Sequence, residues 1–191
     1  MYSVTLEPTS RCTLACPRCA RTDLLDTFGK QALKIADLNP EHIASFFDVA
    51  IEYFYLGGTY GDPIIHPSLD KLVASCKLHA PRIVINTSGS GRSTQWWEQF
   101  IESLDDTDTV EFAIDGLPEN FTQYRVNANW DQIESAIKIC AGRVNTIWKY
   151  IPFSFNEDDV DTAKKLSIDL GINQFNIEPS DRWLKDDWLK P

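Results

Sequence analysis

A chain of 191 residues, 43% of them apolar, is long enough for one domain with a sizeable core, and a single domain over 1–191 is expected. The formal charge of −10 lacks the surplus of Lys and Arg that broad contact with a phosphate backbone requires, so no nucleic-acid partner is expected. No apolar run approaches the roughly 20 residues that span a bilayer, and the opening MYSVTLEPTS has no basic stretch followed by an apolar one. Neither a membrane nor a secretory route is expected; the cytoplasm is the expected compartment.

In chain order, short apolar, β-branched or aromatic runs at residues 4–6, 51–56, 82–86, 109–114, 145–151 and 174–178 predict six strands. Helical patterns fill the intervals. Asn39-Pro40-Glu41 supplies a cap, a first-turn proline and an acid, predicting a helix to about Ala50. Leu69, Leu72, Val73 and Cys76 form one stripe of a second helix. Trp97, Phe100, Ile101 and Leu104 repeat that spacing, as do Ile133, Ala136, Ile137 and Cys140 after a cap at Asn129. A further helix is expected over 157–170, stopped by Gly171. Strand–helix alternation of this kind implies parallel strands joined by right-handed crossovers. Six units are too few for the closed eight-stranded barrel, so the expected fold is α/β, a partial (β/α)6 TIM-like barrel with parallel strands.

In such a fold chemistry sits on the loops after the C-terminal strand ends. The first of these, EPTSRCTLACPRCAR, holds Cys12, Cys16 and Cys19, three of the chain's five cysteines. An odd count so clustered suggests metal or redox chemistry rather than a disulfide framework. Thiolates suit zinc or iron–sulfur clusters. Structural zinc usually takes four protein ligands, but His42, His66 and His79 are scattered, and Cys76 and Cys140 fall on apolar stripes where a small hydrophobe is expected. A cubic 4Fe–4S cluster held by three cysteines leaves one iron open to a non-protein ligand. His66 reads as a loop or cap residue. Gly57, Gly58 and Gly61 suit turn geometry, and Asp181, Asp186 and Asp187 read as a solvated tail.

The C-x3-C-x2-C spacing after a first strand resembles the radical S-adenosylmethionine (radical SAM) superfamily, with Arg18 where relatives often carry an aromatic residue. Other loops agree in order. GGTYGDPIIHP resembles the family's Gly-Gly-Glu-Pro segment, which holds the amino group of the methionine moiety; the matching residues are Tyr60, Gly61 and Asp62, with Asp in place of the usual Glu. VINTSGS resembles the Thr-Asn-Gly ending of the third strand and brings in Asn86. VEFAIDGL resembles a Ser-Ile-Asp-Gly segment, but Ala113 stands at the serine position, so the contact that serine makes is expected from Ser88 or Asp115. TQYRVN resembles the run in which an Arg pairs with the methionine carboxylate, and Arg125 matches that Arg. The resemblance spans roughly residues 2–179 of the chain.

The resemblance implies a minimal radical SAM core. Cys12, Cys16 and Cys19 would hold one 4Fe–4S cluster, and no auxiliary cluster is expected, since no cysteine follows Cys140. It further implies reductive cleavage of S-adenosylmethionine to a 5′-deoxyadenosyl radical that abstracts hydrogen from a substrate. The partners implied are a flavodoxin- or ferredoxin-like electron donor and a substrate, a peptide or protein in preference to a small nucleotide- or sugar-derived molecule. A non-catalytic metal- or cluster-binding module is the alternative. Tyr55, Lys149, Asn176 and Glu178 are strand positions from which some side chains could converge inside a barrel. The tail RWLKDDWLKP, with Trp183 and Trp188, is placed to close the open side or to meet a partner or a second copy.

Overall fold

The computed structural model describes residues 2–46, 49–181, 183 and 187–191. Six parallel strands form one sheet in sequential order: β1 (Tyr2–Leu6), β2 (Ile51–Leu56), β3 (Arg82–Thr87), β4 (Thr109–Ala113), β5 (Asn145–Tyr150) and β6 (Gln174–Ile177). Each strand pairs only with its neighbours in sequence, and β6 does not return to β1. The architecture is the expected partial barrel, open along one side.

The helices are α1 (Ala20–Phe28), α2 (Pro40–Phe46), α3 (Leu69–Lys77), α4 (Thr94–Phe100), α5 (Trp130–Cys140) and α6 (Val160–Asp169). The stripes named above bury as expected. Leu69, Leu72, Val73 and Cys76 of α3, and Ile133, Ala136, Ile137 and Cys140 of α5, are all at most 1% exposed. Asn129 caps α5, its side chain accepting from the Gln132 amide, and Ser93 caps α4 through the Trp96 amide. Gly171 follows α6 with φ of 80°, a left-handed value suited to glycine.

Three boundaries differ from the reading of the sequence. The helix from Pro40 is described to Phe46; residues 47 and 48 lie outside the described residues, and Val49 and Ala50 are not helical. The fourth helix tightens after Phe100 into a 3-10 turn, Ile101–Ser103, leaving Leu104 as its cap. The sixth begins as a 3-10 turn, Glu157–Asp159. One helix, α1, was not predicted. It buries none of its side chains, so its sequence carries no apolar stripe to betray it.

The strands are two-faced. On β5, Thr146, Trp148 and Tyr150 are buried while Asn145, Ile147 and Lys149 are only partly covered. The buried face of β2–β5 joins the helices in one core containing Phe54, Leu56, Ile85, Trp97, Phe112 and Trp148. The opposite face carries a polar network among apolar residues such as Val84 and Ile147. There Glu111 accepts from the Tyr55 hydroxyl at 2.8 Å and the Asn86 amide at 3.0 Å, with the Lys149 ammonium at 3.4 Å. Among the described residues no helix is long and apolar enough to cross a membrane.

Candidate cluster and cofactor site

The cysteine loop leaves β1 and is pinned before it reaches the first thiol. Ser10 donates its amide to the Ala36 carbonyl at 3.0 Å, and Thr9 and Arg11 both engage Asp37, at 2.6 and 3.0 Å. The Leu14 amide donates to Cys12 Sγ at 3.4 Å. Cys16 and Cys19 are joined by a turn in which the Cys19 amide donates to the Cys16 carbonyl at 3.3 Å. Pro17 occupies the second position and Arg18 the third, with φ of 56°. Proline followed by a positive φ is the signature of a type II turn, which turns both cysteines into one loop end. Cys19 is also the N-cap of α1.

Arg18 is an uncommon residue for that left-handed position. Its guanidinium pairs with Asp187 at 2.7 Å, and the Asp187 side chain is fully buried. Asp187 is therefore no solvated tail. Asp181 is exposed as expected, and Asp186 lies outside the described residues. Leu189, also fully buried, packs with Leu14, Cys16, Tyr124 and Phe153. Trp183 meets Phe153 edge to face, while Trp188 stays half exposed.

The loop after β2 lies flat against the cysteine loop. The Asp62 amide donates to the Arg11 carbonyl at 2.8 Å. A Cβ on Gly61 would fall 1.9 Å from the Thr9 carbonyl oxygen, and one on Gly58 would fall 2.6 Å from the Gly61 oxygen. None of Gly57, Gly58 and Gly61 has a positive φ, so close approach, rather than turn conformation, is what requires glycine at Gly58 and Gly61. The Asp62 carboxylate accepts from Thr87 Oγ1 at 2.6 Å, Ser88 Oγ at 2.7 Å and the Ser88 amide at 2.9 Å, with the Ile64 amide at 3.3 Å. His66 braces the same loop: Nδ1 accepts from the Ser68 amide, and Nε2 meets the Leu38 carbonyl at 2.9 Å.

Asp115 follows β4. It is fully buried, accepts from the Ile151 amide at 2.8 Å and pairs with the Arg125 guanidinium at 2.7 Å. Arg125 also faces the Cys16 thiol. All ten residues singled out in the sequence, namely Cys12, Cys16, Cys19, Tyr60, Gly61, Asp62, Asn86, Ser88, Asp115 and Arg125, line one cavity of about 500 Å³ at the C-terminal ends of the strands. Lys149 and Glu178 line it as well, their charges 3.7 Å apart. Glu111, the centre of the polar network on the inner wall, was not foreseen. A charged residue in the middle of the run TVEFA was the signal available.

Burial, reinforced by the negative charge of Asp62, pushes the Cys12 thiol up to about 12. Burial also raises Cys16, against the opposing pull of Arg125. Buried thiols become thiolates when metal binding drives off their protons. Among the described residues no three His, Cys, Asp or Glu side chains are arranged to hold a single metal ion. Three soft thiol donors on one loop suit an iron–sulfur cluster.

An open parallel barrel whose first loop presents three thiols to a polar cavity is a scaffold suited to cluster chemistry. The radical SAM superfamily pattern matches residues 6–166, and the chain belongs to that superfamily of enzymes. No curated protein matches it by sequence. Among solved structures it is similar to TYW1 with a lysine–pyruvate adduct bound, at 14% identity and TM-score 0.69, covering 97% of this chain and 67% of that one. Streptococcus suis SuiB bound to S-adenosylmethionine aligns at 12% identity and TM-score 0.65, covering 99% and 43%. The methyltransferase TsrM from Kitasatospora setae, with cobalamin and a [4Fe–4S] cluster bound, aligns at 10% identity and TM-score 0.57, covering 93% and 36%. The chain thus spans two thirds of TYW1 and less than half of SuiB and TsrM.

Proposed function

We propose that this chain binds one 4Fe–4S cluster through Cys12, Cys16 and Cys19 and binds S-adenosylmethionine beside it. The observation that carries the reading is the convergence of those three thiols, on one loop, with the loops after β2, β3 and β4 around a single cavity. The cluster and cofactor supply a one-electron cleavage that yields a 5′-deoxyadenosyl radical able to take hydrogen from a substrate. The protein's own part is positional. Gly61 lets the loop after β2 approach the cysteine loop, bringing Tyr60 and the Gly61 backbone beside the cluster as the amino-group end of the cofactor site. Asp62 serves that end indirectly, by tying this loop to Thr87 at the end of β3 and to Ser88 just after it. Asn86 and Asp115 belong to the cavity floor and wall, where amide and carboxylate groups suit a sulfonium cation.

The substrate reading we favour is a peptide or protein. β6 is an open sheet edge with Ile177 exposed, and a further cavity of about 380 Å³ lies along it, so an extended chain could reach the radical site from that side. A small polar substrate is the second reading, favoured by the Tyr55, Asn86, Glu111 and Lys149 network on the inner wall. A one-electron donor of the flavodoxin or ferredoxin kind completes the set of partners.

Anaerobic reconstitution tests the core of this proposal. About four irons and four sulfides per chain are expected, followed by 5′-deoxyadenosine on adding dithionite and S-adenosylmethionine. Cys16→Ala should abolish that product. A variant that keeps it, or wild-type protein that takes up one tetrahedral ion, would refute the reading.

A further inference from the structure

Arg125 is locked before any cofactor arrives. Its backbone amide donates to the Phe121 carbonyl at 2.8 Å, closing a turn, and the carbonyl of the next residue, Val126, accepts from the Ala15 amide at 3.1 Å. That bond sets Arg125 and Cys16 side by side, each adjacent to one of its partners. The side chain is 14% exposed, lies over the Tyr124 ring with its central carbon 5.3 Å from the centroid, and pairs with fully buried Asp115. Asp115 is held in turn by the Ile151 amide. A guanidinium has five N–H donors in a rigid fork. With Asp115 taking one edge, the rest of the fork is left beside Cys16, which lines the same cavity and lies in the same buried cluster as Tyr124.

We propose that Arg125 tunes the cluster: held by Asp115, its guanidinium donates to the Cys16 sulfur and raises the cluster's reduction potential, instead of pairing with the methionine carboxylate as the sequence resemblance suggested. This inference rests on the reading that Cys16 is a cluster ligand. Reduction adds one electron to the cluster from a one-electron donor, breaks no bond, and leaves a more negative cluster beside a guanidinium that stays protonated. A nearby cation and an N–H donor to a ligating sulfur both favour that added charge. Asp115 opposes it while fixing the geometry. The two residues therefore have opposite signs of effect, which damage to the fold would not produce.

The test is a potentiometric titration of the reconstituted protein without S-adenosylmethionine, followed by the electron paramagnetic resonance signal of the reduced cluster. Arg125→Gln should lower the reduced-to-oxidised ratio at a fixed potential about tenfold, equivalent to about 59 mV for one electron. Arg125→Lys, which keeps the charge but not the fork, should recover part of that shift. Asp115→Asn, whose amide oxygen still accepts from Ile151, should move the potential the opposite way. S-adenosylmethionine affinity, measured by anaerobic calorimetry, should change less than threefold in Arg125→Lys. Unchanged potentials in both Arg125→Gln and Asp115→Asn, or shifts of the same sign, would overturn the proposal, as would a tenfold loss of affinity in Arg125→Lys with the potential unmoved. Failure of the wild-type protein to assemble a cluster would instead refute the cluster reading itself, and iron and sulfide analysis distinguishes the two.

Discussion

Asp62 offers the sharpest test of how the site is built. In the family pattern its position faces the cofactor, but here its carboxylate meets four protein donors, three of them at 2.6–2.9 Å, while the residue is 6% exposed. A hydrogen bond to a charged group contributes about 1.5–3 kcal/mol, and a buried donor left without a partner costs about 1–3 kcal/mol. Asp62→Ala removes the acceptor for two hydroxyls and the Ser88 amide. The hydroxyls can rotate; the amide cannot, and Ser88 is buried. Allowing for that partial recovery, the loss should be about 3–4 kcal/mol. At about 2–4 °C per kcal/mol for a chain of this size, the melting temperature should fall by roughly 10 °C.

The assay is thermal unfolding of the cluster-free protein under a thiol reductant, so that no cofactor contributes. Asp62→Asn keeps one acceptor oxygen but turns an NH2 group toward a donor, and should fall between Ala and wild type. If the Ala variant melts within about 2 °C of wild type and S-adenosylmethionine binding to the reconstituted protein weakens more than tenfold, the carboxylate serves the cofactor and the bracing argument is wrong.

Three further outcomes follow from the geometry. Gly61→Ala should force the loops after β1 and β2 apart, because its Cβ would sit 1.9 Å from the Thr9 oxygen; cluster content after reconstitution should fall sharply, read as iron per chain. Leu189→Ala should cost about 2–4 kcal/mol by leaving a cavity against Leu14 and Cys16, and should speed iron loss to a chelator; Asp187→Ala, which releases Arg18, should do the same with a smaller stability cost. The hydrogen bond from Lys77, then those from Thr107, lower the Asp105 carboxyl to about 2. Its folded value is depressed, so its contribution is full above the usual value of 3.8 and is lost as pH falls through about 2; Lys77→Met should move the carboxyl's titration upward by nuclear magnetic resonance and flatten the acid dependence of stability in that window.

What could be read from the sequence was whatever repeats locally. The strands declared themselves because one face of each meets the helix layer, and α3 and α5 because their stripes are wholly buried. The cysteine spacing is local too, and the turn that joins Cys16 to Cys19 is written in Pro17. What escaped depends on partners distant in the chain. α1 fully buries none of its residues, so no buried stripe marks it in the sequence. Asp62 looked like a ligand-facing acid because Thr87 and Ser88, which occupy it, lie at the end of the next strand, 25 and 26 positions away. Asp187 looked solvated because Arg18, its partner, is 169 positions away in sequence. Glu111 was hidden in a strand that otherwise reads as apolar, although Tyr55, Asn86 and Lys149 all gather on it.

These distant partners have a common consequence. The sheet does not close, since β6 makes no ladder with β1, yet the loops at its C-terminal end are linked in a ring. The loop after β1 is bonded to that after β2 through Arg11 and Asp62, and that loop to the next through Asp62 and Ser88. The loop after β3 reaches the one after β4 through Ser90 Oγ, which accepts from the Asn129 amide at 3.0 Å, and Asp115 carries the link on to Ile151. The Ser154 amide donates to the Leu189 carbonyl at 3.2 Å, and Asp187 returns the ring to Arg18 beside the first loop's cysteines. In a closed barrel, ladder hydrogen bonds between the last strand and the first would hold the rim together. Here the segment after β6 does that work from above, and it does so at the cysteine loop, where a cluster ligand displaced by an ångström would matter most. The rim can therefore be rigid while the wall beneath it stays open, the combination that the proposed radical chemistry and a substrate entering from the side would both require.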